Sequence, residues 1–131
     1  IQKNSLQSVV RFIGEVPHEE LNKFYHLADL FVLLTHPDEG REEGLGLVYL
    51  EAAAAGLPVV AGKSGGVEEA VLHTQTGVLV DIYKGDKSVI KSIAEMFDND
   101  EYAKRLSENA RIRVRANFKW DSQMKVIGKW M

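Results

Sequence analysis

Glu43 and Glu51 are separated by seven residues that carry no charge, and Glu51 is the only charged residue between Glu43 and Lys63. A carboxylate carried into apolar surroundings is costly unless donors reach it, and the adjacent hydroxyls of a ribose would suit. Gly44 and Gly46 stand where a loop meets a helix start. The unpaired N–H groups of a first helical turn and the positive end of its dipole suit a diphosphate, and glycine lets such a ligand approach the backbone closely. Glu43, at the edge of that loop, is placed to accept from hydroxyls of a hexose. Plainer alternatives stand beside these assignments. A single Gly-x-Gly at a helix start is weak, Glu51 also fits an ion pair or a solvated alanine face, and Glu43 with Asp38, Glu39 and Glu42 also fits a solvated acidic loop.

The chain has 131 residues, 45% of them hydrophobic. That is enough for one domain that buries roughly two thirds of its unfolded surface. Cysteine is absent, and His18, His26, His36 and His73 never pair at ligand spacing on one helix face, so disulfides and thiolate sites are excluded and no bound metal is expected. No apolar run reaches the roughly 18 residues of a membrane-spanning helix, and no charged-then-apolar leader opens the chain. A cytoplasmic location is expected. The net charge of -3 hides a split, with eight basic and sixteen acidic residues in the first 100 positions and eight against three thereafter. The basic tail, Arg111, Arg113, Arg115, Lys119, Lys125 and Lys129, has the charge for anionic lipid or nucleic acid. Its three arginines alternate and so spread around a helix, which favours a solvated or interdomain surface, and nucleic acid is not an expected partner. The chain opens on Ile1 and its first methionine is Met96, so a piece of a longer protein is expected.

The elements that must carry the two glutamates follow from pattern. Val9, Val10, Phe12 and Ile13 form a β-branched and aromatic run that stops at Gly14, which predicts a strand. Pro17, Glu19 and Glu20 mark a helix start, and Leu21, Phe24, Tyr25 and Ala28 recur on one helical face. Leu30 to Leu34 is an unbroken apolar run of the kind found in central parallel strands. Gly46 to Ala55 is helix-forming and stops at Gly56, with Pro58 beyond. Pro58 to Ala61 and Gly77 to Val80 predict two more strands, Val67 to Leu72 a short helix, and Asp86 onward helices whose apolar faces carry Val89, Ile93 and Met96, then Leu106, Ala110 and Val114, then Trp120, Met124, Ile127 and Met131. Alternating strands and helices argue for an α/β fold with a parallel, Rossmann-like sheet covered by helices on both faces. Ligands bind such sheets beyond the carboxyl ends of the strands, which singles out the loops 14–17, 35–46 and 62–66. Strands expected beyond a switch point are missing, so the domain is expected to be truncated at its amino end.

A set of motifs in this order resembles the donor-binding domain of glycosyltransferase family 4, and nearest the bacterial phosphatidylinositol mannosyltransferase type. They are Gly14-Glu15-Val16-Pro17, Ala28-Asp29-Leu30-Phe31-Val32, Glu43-Gly44-Leu45-Gly46-Leu47-Val48 with Glu51-Ala52, Gly56-Leu57-Pro58-Val59, Ser64-Gly65-Gly66 and Thr76-Gly77-Val78-Leu79-Val80. The similarity covers nearly the whole chain. It implies the C-terminal half of a GT-B enzyme, in which residues 1–131 form the nucleotide-sugar-binding domain, residues 101–131 its C-terminal helical segment, and the acceptor domain lies outside the chain. It further implies that Glu43 is the catalytic residue and bonds hydroxyls of the transferred sugar. Gly44 and Leu45 would belong to the donor site, the amides around Gly46 and Leu47 would hold the diphosphate, Glu51 would hold the ribose, and the backbone of Val16 would meet the base. The family retains anomeric configuration and needs neither a cofactor nor a metal. Its partners are the nucleotide-sugar donor, the acceptor domain of the same protein and, in similar enzymes, a lipid acceptor at the inner membrane face.

The sequence departs from the family pattern in places. The Arg and Lys that clamp the diphosphate match nothing here, since Arg41 and Lys63 stand elsewhere. Gly65-Gly66-Val67-Glu68-Glu69 lacks the family's proline, which leaves the role of that loop open. The segment with Phe118 and Trp120 resembles the one that crosses back to the first domain. Two other readings remain: a non-catalytic nucleotide-binding or interaction module, and another Rossmann-type nucleotide-dependent enzyme. The second is weak because no strand runs into Gly-x-Gly-x-x-Gly with an acid about 20 residues later.

Overall fold

A computed structural model of the chain describes residues 1–35 and 43–119. The elements are α1 (His18–Leu27), β1 (Phe31–Leu33), α2 (Leu47–Ala55), β2 (Val59–Gly62), α3 (Val67–Ala70), β3 (Val78–Val80), α4 (Asp86–Asp98) and α5 (Asp100–Asn117). Short 3-10 turns occupy Gln2–Asn4 and Ile82–Lys84. Among the described residues the strands form one sheet in the order β1-β2-β3, parallel throughout, with Val32 opposite Val60 and Ala61 opposite Leu79.

β2 is buried along its whole length because its side chains alternate between two cores. Val59 and Ala61 join Tyr49, Leu50, Ala52, Leu57, Val67, Ala70 and Val71 on one face, while Val60 joins Val78, Val80, Met96, Ala103 and Leu106 on the other. A strand covered on both faces has no solvent side, which is why its sequence reads as a continuous apolar run. The first face is covered by α1, α2 and α3 and the second by α4 and the start of α5. α5 then reaches the first face, where Val114 and Phe118 pack. The helix boundaries follow local chemistry: Gly56 closes α2 in the left-handed region at φ 83°, and the Asn99 side chain accepts from the Tyr102 N–H at the start of α5.

Two expectations need correction. Val9 to Ile13 forms no strand, and its side chains lie open, with Phe12 87% exposed. A strand exists only through its hydrogen-bonded neighbour, and no described strand pairs with this segment. β1, expected to be central, is an edge of the described sheet for the same reason, and Val32 is 38% exposed. The third helical face proposed from Trp120 to Met131 lies outside the described residues. No described helix is long and apolar enough to cross a membrane.

The core predicts a contrast within α5. Leu106 is fully buried and Ile112 is 66% exposed. Leu106→Ala should lower unfolding free energy by about 2–5 kcal/mol, and Ile112→Ala should change it by no more than about 0.5 kcal/mol, as read by denaturant unfolding.

Candidate functional site

The carboxyl edge of the sheet is organised around the start of α2. Because α2 follows β1 and precedes β2 in a parallel sheet, its amino end comes to the edge where the strands finish. Gly46 caps it at φ 70° and ψ 69°, a left-handed conformation that costs other residues about 1–2 kcal/mol. Space excludes a side chain as well, since a Cβ on Gly46 would stand 2.5 Å from Cδ2 of Tyr49. Tyr49 is fully buried beneath the loop. Its Oη donates to the Leu33 carbonyl at 3.0 Å and lies 3.1 Å from Oγ1 of Thr35. A phenol has one proton, so Thr35 is the donor in the second bond. Burial pushes the Tyr49 phenol up and the charge of Glu43 adds to that, with the Thr35 bond opposing.

The loop after β2 closes against the same start. The Gly66 N–H donates to the Glu43 carbonyl at 3.1 Å, and a Cβ on Gly66 would run into the Gly44 carbonyl. Ser64, in the same loop, is buried, and its hydroxyl has no hydrogen-bond partner among the described residues. No side chain caps the amino end of α2. The Tyr49 N–H donates to the Gly46 carbonyl at 3.0 Å, and the Leu47 and Val48 N–H groups ahead of it have no capping side chain. Around them Glu43 and Leu45 are half-buried, Gly44 is open and Leu47 is 65% exposed.

Glu51 lies further along α2, facing α1. Oη of Tyr25 donates to Oε2 of Glu51 at 2.9 Å. Desolvation first, then this bond and the carboxylate charge, push the Tyr25 phenol up to about 12. A groove of about 240 Å³ opens there, lined by His18, Leu21, Asn22, Tyr25, Glu51 and Ala54. Val16 is half-buried, two residues before His18. Of the two glutamates, Glu51 is the one that lines this groove. Among the described residues the ion pairs are Lys23–Glu20, Lys63–Glu68, Lys84–Asp81 and Lys104–Asp100, none of which involves Glu51. The partner of Glu51 is a phenol.

Sequence reasoning missed both tyrosines. Periodicity puts Tyr25 on the apolar face of α1 and Tyr49 within α2, and neither position by itself marks a site. The available signal was that a buried tyrosine hydroxyl needs a partner. Of the basic tail, Arg113 turns inward: it donates to the Ala70 carbonyl at 2.9 Å and the Glu69 carbonyl at 2.5 Å, and its guanidinium stacks 4.9 Å from the Phe118 ring. Arg111 and Arg115 stay exposed, and Arg41 lies outside the described residues. Phe118 packs on the core of its own sheet.

A parallel sheet with helices on both faces, a glycine-led helix start at its carboxyl edge and a carboxylate on that helix define a Rossmann-like domain. Residues 1–113 match the family described as glycosyl transferases group 1, and the chain belongs to that family. It is 40% identical over 115 residues to a GDP-mannose-dependent alpha-(1-6)-phosphatidylinositol monomannoside mannosyltransferase of Mycobacterium tuberculosis, a match covering 86% of this chain and 30% of that protein. Sucrose-phosphate synthase from Thermosynechococcus elongatus superposes with a TM-score of 0.85 at 31% identity, over 98% of this chain and 31% of that one. HepE from Anabaena, solved with UDP and glucose, shares the fold with a TM-score of 0.85 at 23% identity, over 98% of this chain and 33% of that one. The chain thus spans about 30% of the length of this mannosyltransferase and of the sucrose-phosphate synthase.

The raised phenol of Tyr25 predicts a pH dependence. The folded state keeps a proton that the unfolded chain releases near the ordinary value of 10.0, so this contribution to stability is complete below that pH and is lost as pH rises towards about 12. Tyr25→Phe should make the alkaline fall in stability shallower without abolishing it, because Tyr49 is shifted in the same direction. Denaturant unfolding across that range checks it. An unchanged slope would mean the Tyr25 proton is not held by the fold.

Proposed function

We propose that this chain is the donor-binding domain of a retaining glycosyltransferase of family 4, which moves a hexosyl group from a nucleoside diphosphate sugar to an acceptor hydroxyl. The observation that carries this reading is the uncapped, glycine-led amino end of α2, with Glu43 beside it and Glu51 on the same helix. The diphosphate lies against the amides of Gly46 and Leu47. As the sugar departs, negative charge grows on the diphosphate, and fixed N–H dipoles in a site closed to water stabilise it. Glu43 accepts from hydroxyls of the transferred sugar, Glu51 accepts from the ribose, and the backbone at Val16 meets the base. No divalent cation or cofactor takes part.

The remainder of the protein supplies the basic groups that clamp the diphosphate and the acceptor domain that completes the cleft. Catalysis requires both, because donor and acceptor must be held together away from water. The name of the Mycobacterium tuberculosis relative supports a GDP-linked mannose donor and a phosphatidylinositol mannoside acceptor. The UDP and glucose bound by HepE support a donor of the same class with another base.

The test is a pair of variants in the intact protein. Glu43→Ala should lower turnover about ten- to hundredfold with little loss of affinity for the free nucleoside diphosphate, whereas Glu51→Ala should weaken both by a similar factor. Equal loss of nucleotide affinity in the two variants would overturn the role assignment. In the same protein, removing divalent cations with a chelator should leave transfer unchanged, and activity that disappears with the chelator would place the reaction in a metal-dependent class.

A further inference from the structure

We propose that Tyr25 is a positioning residue for nucleotide recognition: by donating to Oε2 of Glu51 at 2.9 Å, its hydroxyl presets the carboxylate for the 2′- and 3′-hydroxyls of the ribose. This rests on the reading of Glu51 as the ribose carboxylate. Left alone, a half-buried glutamate on a helix samples several rotamers, and ordering it when a ligand arrives weakens binding. Tyr25 removes that cost with a stiff side chain. Its ring stands edge-on to Phe31 with centroids 5.8 Å apart, and Phe31 stands edge-on to Tyr49 at 5.9 Å. Tyr49 is tied to the end of β1 through the Leu33 carbonyl and fills the space under Gly46. Three rings in contact therefore connect the carboxylate to the glycine loop of the diphosphate.

The chemistry of the partner matters as much as its stiffness. An ionised carboxylate has about four acceptor sites, and a single phenol occupies one of them. The charge is kept, and enough sites remain for two ribose hydroxyls. A lysine in the same place would neutralise the charge and compete as a donor. Burial of Tyr25 also keeps its phenol protonated, so it stays a donor. Glu51 borders the groove between α1 and α2, whose lining also has apolar Leu21 and Ala54 and polar His18 and Asn22.

The experiment measures affinity of the intact protein for GDP and UDP, then compares the tighter of the two with its 2′,3′-dideoxy analogue in wild type and in Tyr25→Phe. That variant keeps the ring and its contacts and loses only the hydroxyl. Wild type should bind the ribonucleotide more tightly than the dideoxy form. Tyr25→Phe should weaken the ribonucleotide roughly five- to tenfold and leave the dideoxy form unchanged. If wild type does not distinguish the two sugars, or binds neither GDP nor UDP, the assignment of Glu51 to the ribose fails and the proposal with it. If wild type distinguishes them and Tyr25→Phe does so equally well, the assignment stands and the positioning role is overturned. Equal weakening of both nucleotides by Tyr25→Phe also overturns it, because that is the mark of a general structural defect.

Discussion

The carboxyl edge of this sheet depends on one side chain fitted under one glycine. Tyr49 fills the space where a Cβ of Gly46 would be, and its hydroxyl is held by the Leu33 carbonyl and by Thr35 at the end of β1. The helix start, the strand end and the loop between them are thereby held to common coordinates. A buried phenol without those two bonds would be strongly unfavourable, so the strand and the helix cannot drift apart without exposing or orphaning it. Every other feature of the site is placed relative to this contact, including the loop after β2, which reaches Glu43 through the Gly66 N–H.

The same edge concentrates unsatisfied polarity. α2 begins without a side-chain cap, and the buried Ser64 hydroxyl has no partner among the described residues. A native fold tolerates such groups where something else meets them for part of the working cycle, and an anionic ligand would meet the helix N–H groups. Remote contacts hold the surroundings still. Arg113 reaches from α5 to the carbonyls that end α3, so the helix following the Ser64 to Gly66 loop is tied to the far end of the chain.

The contrast between Val9 to Ile13 and β2 shows what apolar character alone can and cannot specify. Both are β-branched runs bounded by glycine. β2 has a neighbour on each side and a core on each face, and all four of its residues are buried. Val9 to Ile13 has neither, and its large side chains remain exposed. β propensity reports fit to a pleated, half-buried surface, and without that surface it specifies no strand.

Much of the fold was legible because it is local. The helix over Gly46 to Ala55, its glycine stops, the strands at Val59 and Val78 and the parallel arrangement follow from periodicity and punctuation that lie within short stretches of chain. The isolation of Glu51 in an uncharged stretch and the glycines beside Glu43 were likewise visible in the sequence, as was the family through the order of its motifs. What the tertiary structure decided is who meets whom across separate elements: the phenol of Tyr25 on Glu51, the phenol of Tyr49 on the Leu33 carbonyl, Gly66 against Gly44 and Arg113 on the end of α3. It also left β1 at an edge of the described sheet. These outcomes depend on the directions of side chains more than ten residues apart, and periodicity carries no information about them because it describes one element at a time.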